Sequence, residues 1–107
     1  MEIRTTAHFD KNLAKKIRKD PQLKNPIKKQ LNLLKENLRH PSLKLHKLQG
    51  KRAEEYSFWI EGNLRITFII IDNVILFTDI ITHDEYWSLA TYLLFQYFFM
   101  KVEINLW

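Results

Sequence analysis

The sequence predicts an α+β domain: a basic helical hairpin at the N-terminus, packed on a mainly antiparallel sheet of four or five strands. Three observations predict it. Residues 11 to 38 carry apolar residues at helical spacing among many lysines. Residues 43 to 81 break into short, β-branched and aromatic runs. Those runs are joined by Gly62-Asn63 and Asp72-Asn73, dipeptides suited to tight hairpin turns.

Taken in order, residues 2 to 7 alternate and include Ile3, Thr5 and Thr6, which predicts an opening strand ended by Phe9-Asp10. Asp10 is the expected N-cap of a helix to about Lys19, with Leu13 and Ile17 on one stripe. Asp20-Pro21 breaks it. A second helix is expected from about Gln22 to Leu38, with Pro26 near its first turn and Ile27, Leu31, Leu34 and Leu38 as the packing stripe.

Arg39-His40-Pro41-Ser42 reads as a turn, and Leu43 to Leu48 as a strand that is not cleanly amphipathic. A basic loop around Gly50 follows. Glu54 to Ile60 sets Tyr56, Phe58 and Ile60 against Glu55, Ser57 and Trp59, and Leu64 to Ile71 and Val74 to Ile81 complete a meander. Glu85 to about Met100 reads as a helix, with a strand-like end possible at KVEINLW. Of the last 20 residues, 14 are apolar, but no run reaches the 18 or so uninterrupted apolar residues of a membrane span.

With 107 residues the chain suits one domain with a modest core. The absence of cysteine excludes disulfides and thiolate metal sites, and agrees with a reducing, cytoplasmic setting. No apolar h-region follows the first residues, so no secretory signal and no membrane partner are expected. Charge is unevenly divided. Residues 1 to 52 hold fifteen basic and four acidic residues, and residues 53 to 107 two basic and eight acidic. A basic half of this size fits either a surface that meets nucleic-acid phosphates or two well-solvated helices.

The chemistry-bearing residues concentrate between His40 and Trp87. Two histidines, His46 and His83, an arginine, Arg65, inside an apolar strand, and the pair Glu54/Glu55 form a set able to do acid/base work on a phosphodiester. No Gly-rich phosphate loop and no H-E-x-x-H is present, and no cofactor is expected.

The run H-x-L-Q-G at His46, the following x-Y-x-x-x-I strand, the E-G-N-L-R-I turn and strand, and the closing T-H-D-E-Y-W resemble the RelE/ParE superfamily of type II toxins, above all its YafQ-like and RelE/StbE branches. The resemblance covers residues 1–87 as the toxin domain and leaves residues 88–107 as an apolar C-terminal extension, where relatives usually stop. It implies a metal-independent endoribonuclease that cuts mRNA on the ribosome and is neutralised, in an oligomer, by a cognate antitoxin. His46, Arg65 and His83 become candidate catalytic residues. Lys47, Lys51, Arg52 and Trp87 become candidate mRNA contacts, Trp87 by stacking on a base. Glu54 or Glu55 is the candidate general base. Each has a plainer reading: a capping His83, a surface His46, solvated glutamates, a core Trp87. The chain departs from the YafQ-like pattern at Trp59, where relatives carry a histidine, and at Asn63, where they carry an aspartate. A ParE-like gyrase inhibitor and a catalytically inactive binding module are the alternatives on the same fold.

Overall fold

A computed structural model describes residues 2–48 and 54–82. Its elements are β1 (Glu2–Thr5), α1 (Ala7–Lys19), α2 (Lys24–Glu36), β2 (His46–Lys47), β3 (Glu55–Glu61), β4 (Leu64–Ile71) and β5 (Val74–Thr82), with 3₁₀ turns at Pro21–Leu23 and Pro41–Leu43. The five strands form one sheet in the order β1-β5-β4-β3-β2. All pairings are antiparallel except that of β1, which runs parallel to β5. Two helices on a mainly antiparallel sheet is the expected architecture.

The start of α1 differs from expectation. Thr6, not Asp10, caps it: its Oγ1 accepts from Phe9 N at 3.1 Å and donates to the Phe77 carbonyl at 3.1 Å. A cap anchored in β5 outcompetes one that depends on the helix alone. Phe9, expected to end the strand, therefore lies inside α1 as its buried residue, with its ring 5.3 Å from that of Phe77. Asp10 falls in the first turn, where its charge favours the helix dipole.

The second helix begins later than Gln22, because the Asp20 carboxylate accepts from Gln22 N and holds residues 21 to 23 as a 3₁₀ turn. It ends at Glu36, where Asn37 turns extended. Ile27 and Leu34 are buried as the stripe requires, and Leu31 and Leu38 pack beside them. Gln30 is buried on the same helix.

The expected strand from Leu43 to Leu48 shrinks to His46–Lys47. Leu43 belongs to the 3₁₀ turn and is fully buried, and Lys44 adopts a left-handed conformation (φ 46°) that interrupts the extended run. β3 and β4 keep the predicted alternation. Phe58, Ile60, Ile66, Phe68, Phe77 and Ile80 make the core beneath the helices, with the Phe58, Phe68 and Phe77 ring centroids 5.7 to 6.5 Å apart. The β4–β5 register shifts between Thr67 and Phe68, so Thr78 is an extra residue opposite them. Alternation from Phe77 sends Thr78 to the face away from the helices and Asp79 to the helix face, and the extra residue brings Ile80 onto the helix face as well. Asp79 meets His8 and Asn12 of α1, while Thr78 meets Thr67 and Glu55.

Candidate active site

The sheet face turned away from α1 and α2 carries the polar residues. Alternation along β3 puts Glu55, Ser57 and Trp59 there, and register adds their neighbours: His46 and Thr67 partner Ser57, and Arg65 partners Trp59. Each strand contributes because its other face is committed to the core.

Arg65 is the centre of this surface. Its Nε donates to Ser57 Oγ at 2.9 Å, and its Nη2 donates to the Lys44 carbonyl at 2.6 Å and the Ser57 carbonyl at 3.1 Å. Three bonds along one edge of a planar fork fix its orientation. Trp59 stands beside it. The indole N–H donates to the Gly62 carbonyl at 2.9 Å, and Lys44 Nζ lies 4.3 Å from the ring centroid.

Glu55 is held from another direction. Thr78 Oγ1 donates to Glu55 Oε1 at 2.8 Å, and the Thr67 and Thr78 hydroxyls are 2.7 Å apart. Since the Thr78 proton points at the carboxylate, Thr67 is the donor of the second bond. The relay crosses β3, β4 and β5 and leaves Glu55 as an acceptor. Thr67 and Ser57 are buried.

The predicted residues divide accordingly. Arg65, His46 and Glu55 share one face, with His46 exposed on the short edge strand β2. Glu54 lies in the turn before β3 and is exposed, apart from this cluster. Lys47 alternates to the opposite face, its Nζ 5.9 Å from the Tyr56 ring centroid. Asn63 lines a cleft of about 330 Å³ with Lys16, Lys19, Glu61 and Thr82. Lys51, Arg52, His83, Trp87 and the apolar extension 88–107 lie outside the described residues.

Sequence reasoning missed Ser57, Thr67, Thr78, Lys44 and Gln30. Ser57 was legible, since alternation already grouped it with Glu55 and Trp59. Gln30 was legible too, as a polar residue three positions after Ile27 and four before Leu34. Its Nε2 donates to the carbonyls of Ser42 at 3.1 Å and Trp59 at 2.9 Å, tying α2 to the loop and strand that carry the site. Thr78 was legible by alternation from Ile75 and Phe77, whereas Lys44 depends on a backbone conformation that no local pattern announces.

Among the described residues no cluster of His, Asp and Glu is arranged to hold a metal ion, and no helix is long and apolar enough to cross a membrane. No family model and no curated protein matches the sequence. Solved structures do match its fold. YafQ from Escherichia coli strain BL21(DE3) is 21% identical with a TM-score of 0.66, over 78% of this chain and 94% of that one. A chain of the E. coli DinJ–YafQ complex is 22% identical with a TM-score of 0.65, over 78% and 94%. A YoeB/ParE toxin from Agrobacterium tumefaciens is 16% identical with a TM-score of 0.66, over 78% and 99%. The fold expected from the resemblance is thus the fold of these toxins.

Proposed function

We propose that this chain is the toxin of a type II toxin–antitoxin pair and acts as a ribosome-dependent mRNA endoribonuclease. The observation that carries the reading is the immobilised Arg65 guanidinium on the same polar face as Glu55 and His46, in a fold shared with YafQ and YoeB-type toxins.

Cleavage by the 2′-hydroxyl needs a base for its proton, cations for the charged phosphorane and an acid for the leaving 5′-oxygen. Arg65 supplies a cation already oriented, so little is lost to ordering it in the transition state. Glu55, an acceptor held by the hydroxyl relay, is the base candidate preferred over the exposed Glu54. His83, which follows the last described residue of β5, is the acid candidate, with His46 as the second imidazole. Trp87 is assigned base stacking and Lys51 and Arg52 backbone contacts. The lysines of α1 and α2 supply the sequence-independent attraction to rRNA.

The DinJ–YafQ complex supports a cognate antitoxin as the partner, and action on translating ribosomes makes the cytoplasm the place of action. An acidic and apolar antitoxin segment that folds on binding suits this basic surface. Primer extension on translated mRNA tests the reading. Cuts that need ribosomes and vanish with Arg65→Ala are expected; intact mRNA together with a block of gyrase supercoiling would instead assign the ParE-like activity.

A further inference from the structure

We propose that Lys44 is a positioning residue for Arg65: its left-handed backbone aims its carbonyl at the guanidinium while its ammonium holds Trp59 alongside. The proposal rests on Arg65 being the phosphate clamp.

Among the described residues two non-glycine residues have positive φ, Asp72 (54°) and Lys44 (46°). Asp72 opens the two-residue turn between β4 and β5, where such angles are usual and an aspartate tolerates them. Lys44 is in no hairpin. It follows the Pro41–Leu43 turn, and its side chain offers none of the local bonding that helps Asn or Asp there. Glycine would adopt this conformation freely. A strained residue of this kind persists when its surroundings over-determine it.

The surroundings do so from both sides. His40 Nδ1 accepts from Ser42 N at 3.2 Å and lies 2.9 Å from Ser42 Oγ. Gln30 holds the Ser42 carbonyl, Leu43 is fully buried, and Lys44 N donates back to the Pro41 carbonyl at 3.2 Å. On the far side His46 is already paired with Ser57. The left-handed turn between these anchors directs the Lys44 carbonyl to Arg65 Nη2 at 2.6 Å.

The same residue acts from its other end. Its Nζ lies over the ring of Trp59, and Trp59 is the cross-strand partner of Arg65. Lys44 thus touches both members of one pair, one with its backbone and one with its side chain. An extended Lys44 would lengthen β2 and direct its carbonyl along the ladder instead. The chain gives up edge-strand length and gains a second acceptor on Nη2, beside the Ser57 carbonyl.

Rotation about the Arg65 Nε–Cζ bond reports this hold, because each acceptor lost from Nη2 lowers the barrier and speeds exchange between the two Nη resonances. The Arg65 signals are assigned by their loss in Arg65→Lys. Lys44→Gly keeps the left-handed carbonyl and loses the ammonium; Lys44→Val disfavours the left-handed backbone. Slow exchange between two Nη signals is expected in the wild type and in Lys44→Gly, and faster exchange in Lys44→Val, where the Ser57 carbonyl alone still holds Nη2. Single-turnover cleavage of ribosome-bound mRNA should fall about tenfold in Lys44→Val and only about threefold in Lys44→Gly. Should Lys44→Val not fold, Lys44→Ala replaces it. An Nη exchange rate equal to that of the wild type, with unimpaired cleavage, in the valine or alanine variant would overturn the proposal. Unimpaired cleavage by Arg65→Ala overturns the nuclease reading instead, and the Nη signals still decide what Lys44 does.

Discussion

Arg65 reaches diagonally across the β3–β4 pair to Ser57, whose hydroxyl and carbonyl both accept from the guanidinium. Ser57 is buried and partners His46 on the next strand, so one small side chain links the cation to the edge of the site. Replacing Arg65 by Ala should slow single-turnover cleavage by roughly 10² to 10³. Ser57→Ala should slow it less and cost about 0.5 to 1.5 kcal/mol of stability, the ordinary worth of such a bond. The double variant should resemble Arg65→Ala in rate, because both changes act through one group. Additive losses in rate would separate Ser57 from Arg65.

Gln30 offers a test of the scaffold alone. Gln30→Leu removes a buried donor from two carbonyls, those of Ser42 and Trp59, and should cost about 1 to 3 kcal/mol. Urea unfolding measures it. A midpoint equal to that of the wild type would mean that water or a shifted backbone satisfies both carbonyls.

The hydroxyl relay predicts a different signature. Thr78→Val is close to isosteric but takes away the donor to Glu55, and Thr67→Val takes away only the second link. If Glu55 is the base, cleavage should fall in the order Glu55→Gln, Thr78→Val, Thr67→Val, the first by about 10² or more. Full activity in Glu55→Gln would move the base to a histidine or to the ribosome.

For the histidines, His83→Ala is expected to lose roughly 10² to 10³ in rate with the fold intact. His46→Ala should match it only if both imidazoles transfer protons; a milder loss makes His46 a phosphate ligand. Trp87→Ala should weaken mRNA positioning by about 1 to 3 kcal/mol if the indole stacks on a base. Unchanged cleavage by His83→Ala would remove it from the mechanism.

Ribosome binding should weaken steeply as salt rises, because lysines that neutralise phosphates release counterions. Lys15, Lys16 and Lys19 border a groove along α1 with Asn12 and Ile80, which makes them the lysines to neutralise first. Changing each to Gln should lower the salt slope of log K by about one. A slope that ignores all three would place the contact elsewhere.

What the sequence determined by itself is the layout that depends on neighbours along the chain. Strict alternation in Glu55 to Ile60 separates core from site, the apolar run Leu64 to Ile71 delimits β4, and Ile27 and Leu34 mark the buried stripe of α2. It also singled out Arg65, because an arginine within an apolar strand has no packing reason to be there. What only the tertiary structure decided depends on partners far away in sequence. Thr6, which caps α1 by accepting from Phe9 N, is anchored by a carbonyl 71 residues on, and Lys44 turns left-handed between a buried leucine and a paired strand. The relay from Thr67 through Thr78 to Glu55 joins three strands. Period and propensity are properties of short windows, whereas these three depend on hydrogen-bond partners that only folding brings within reach.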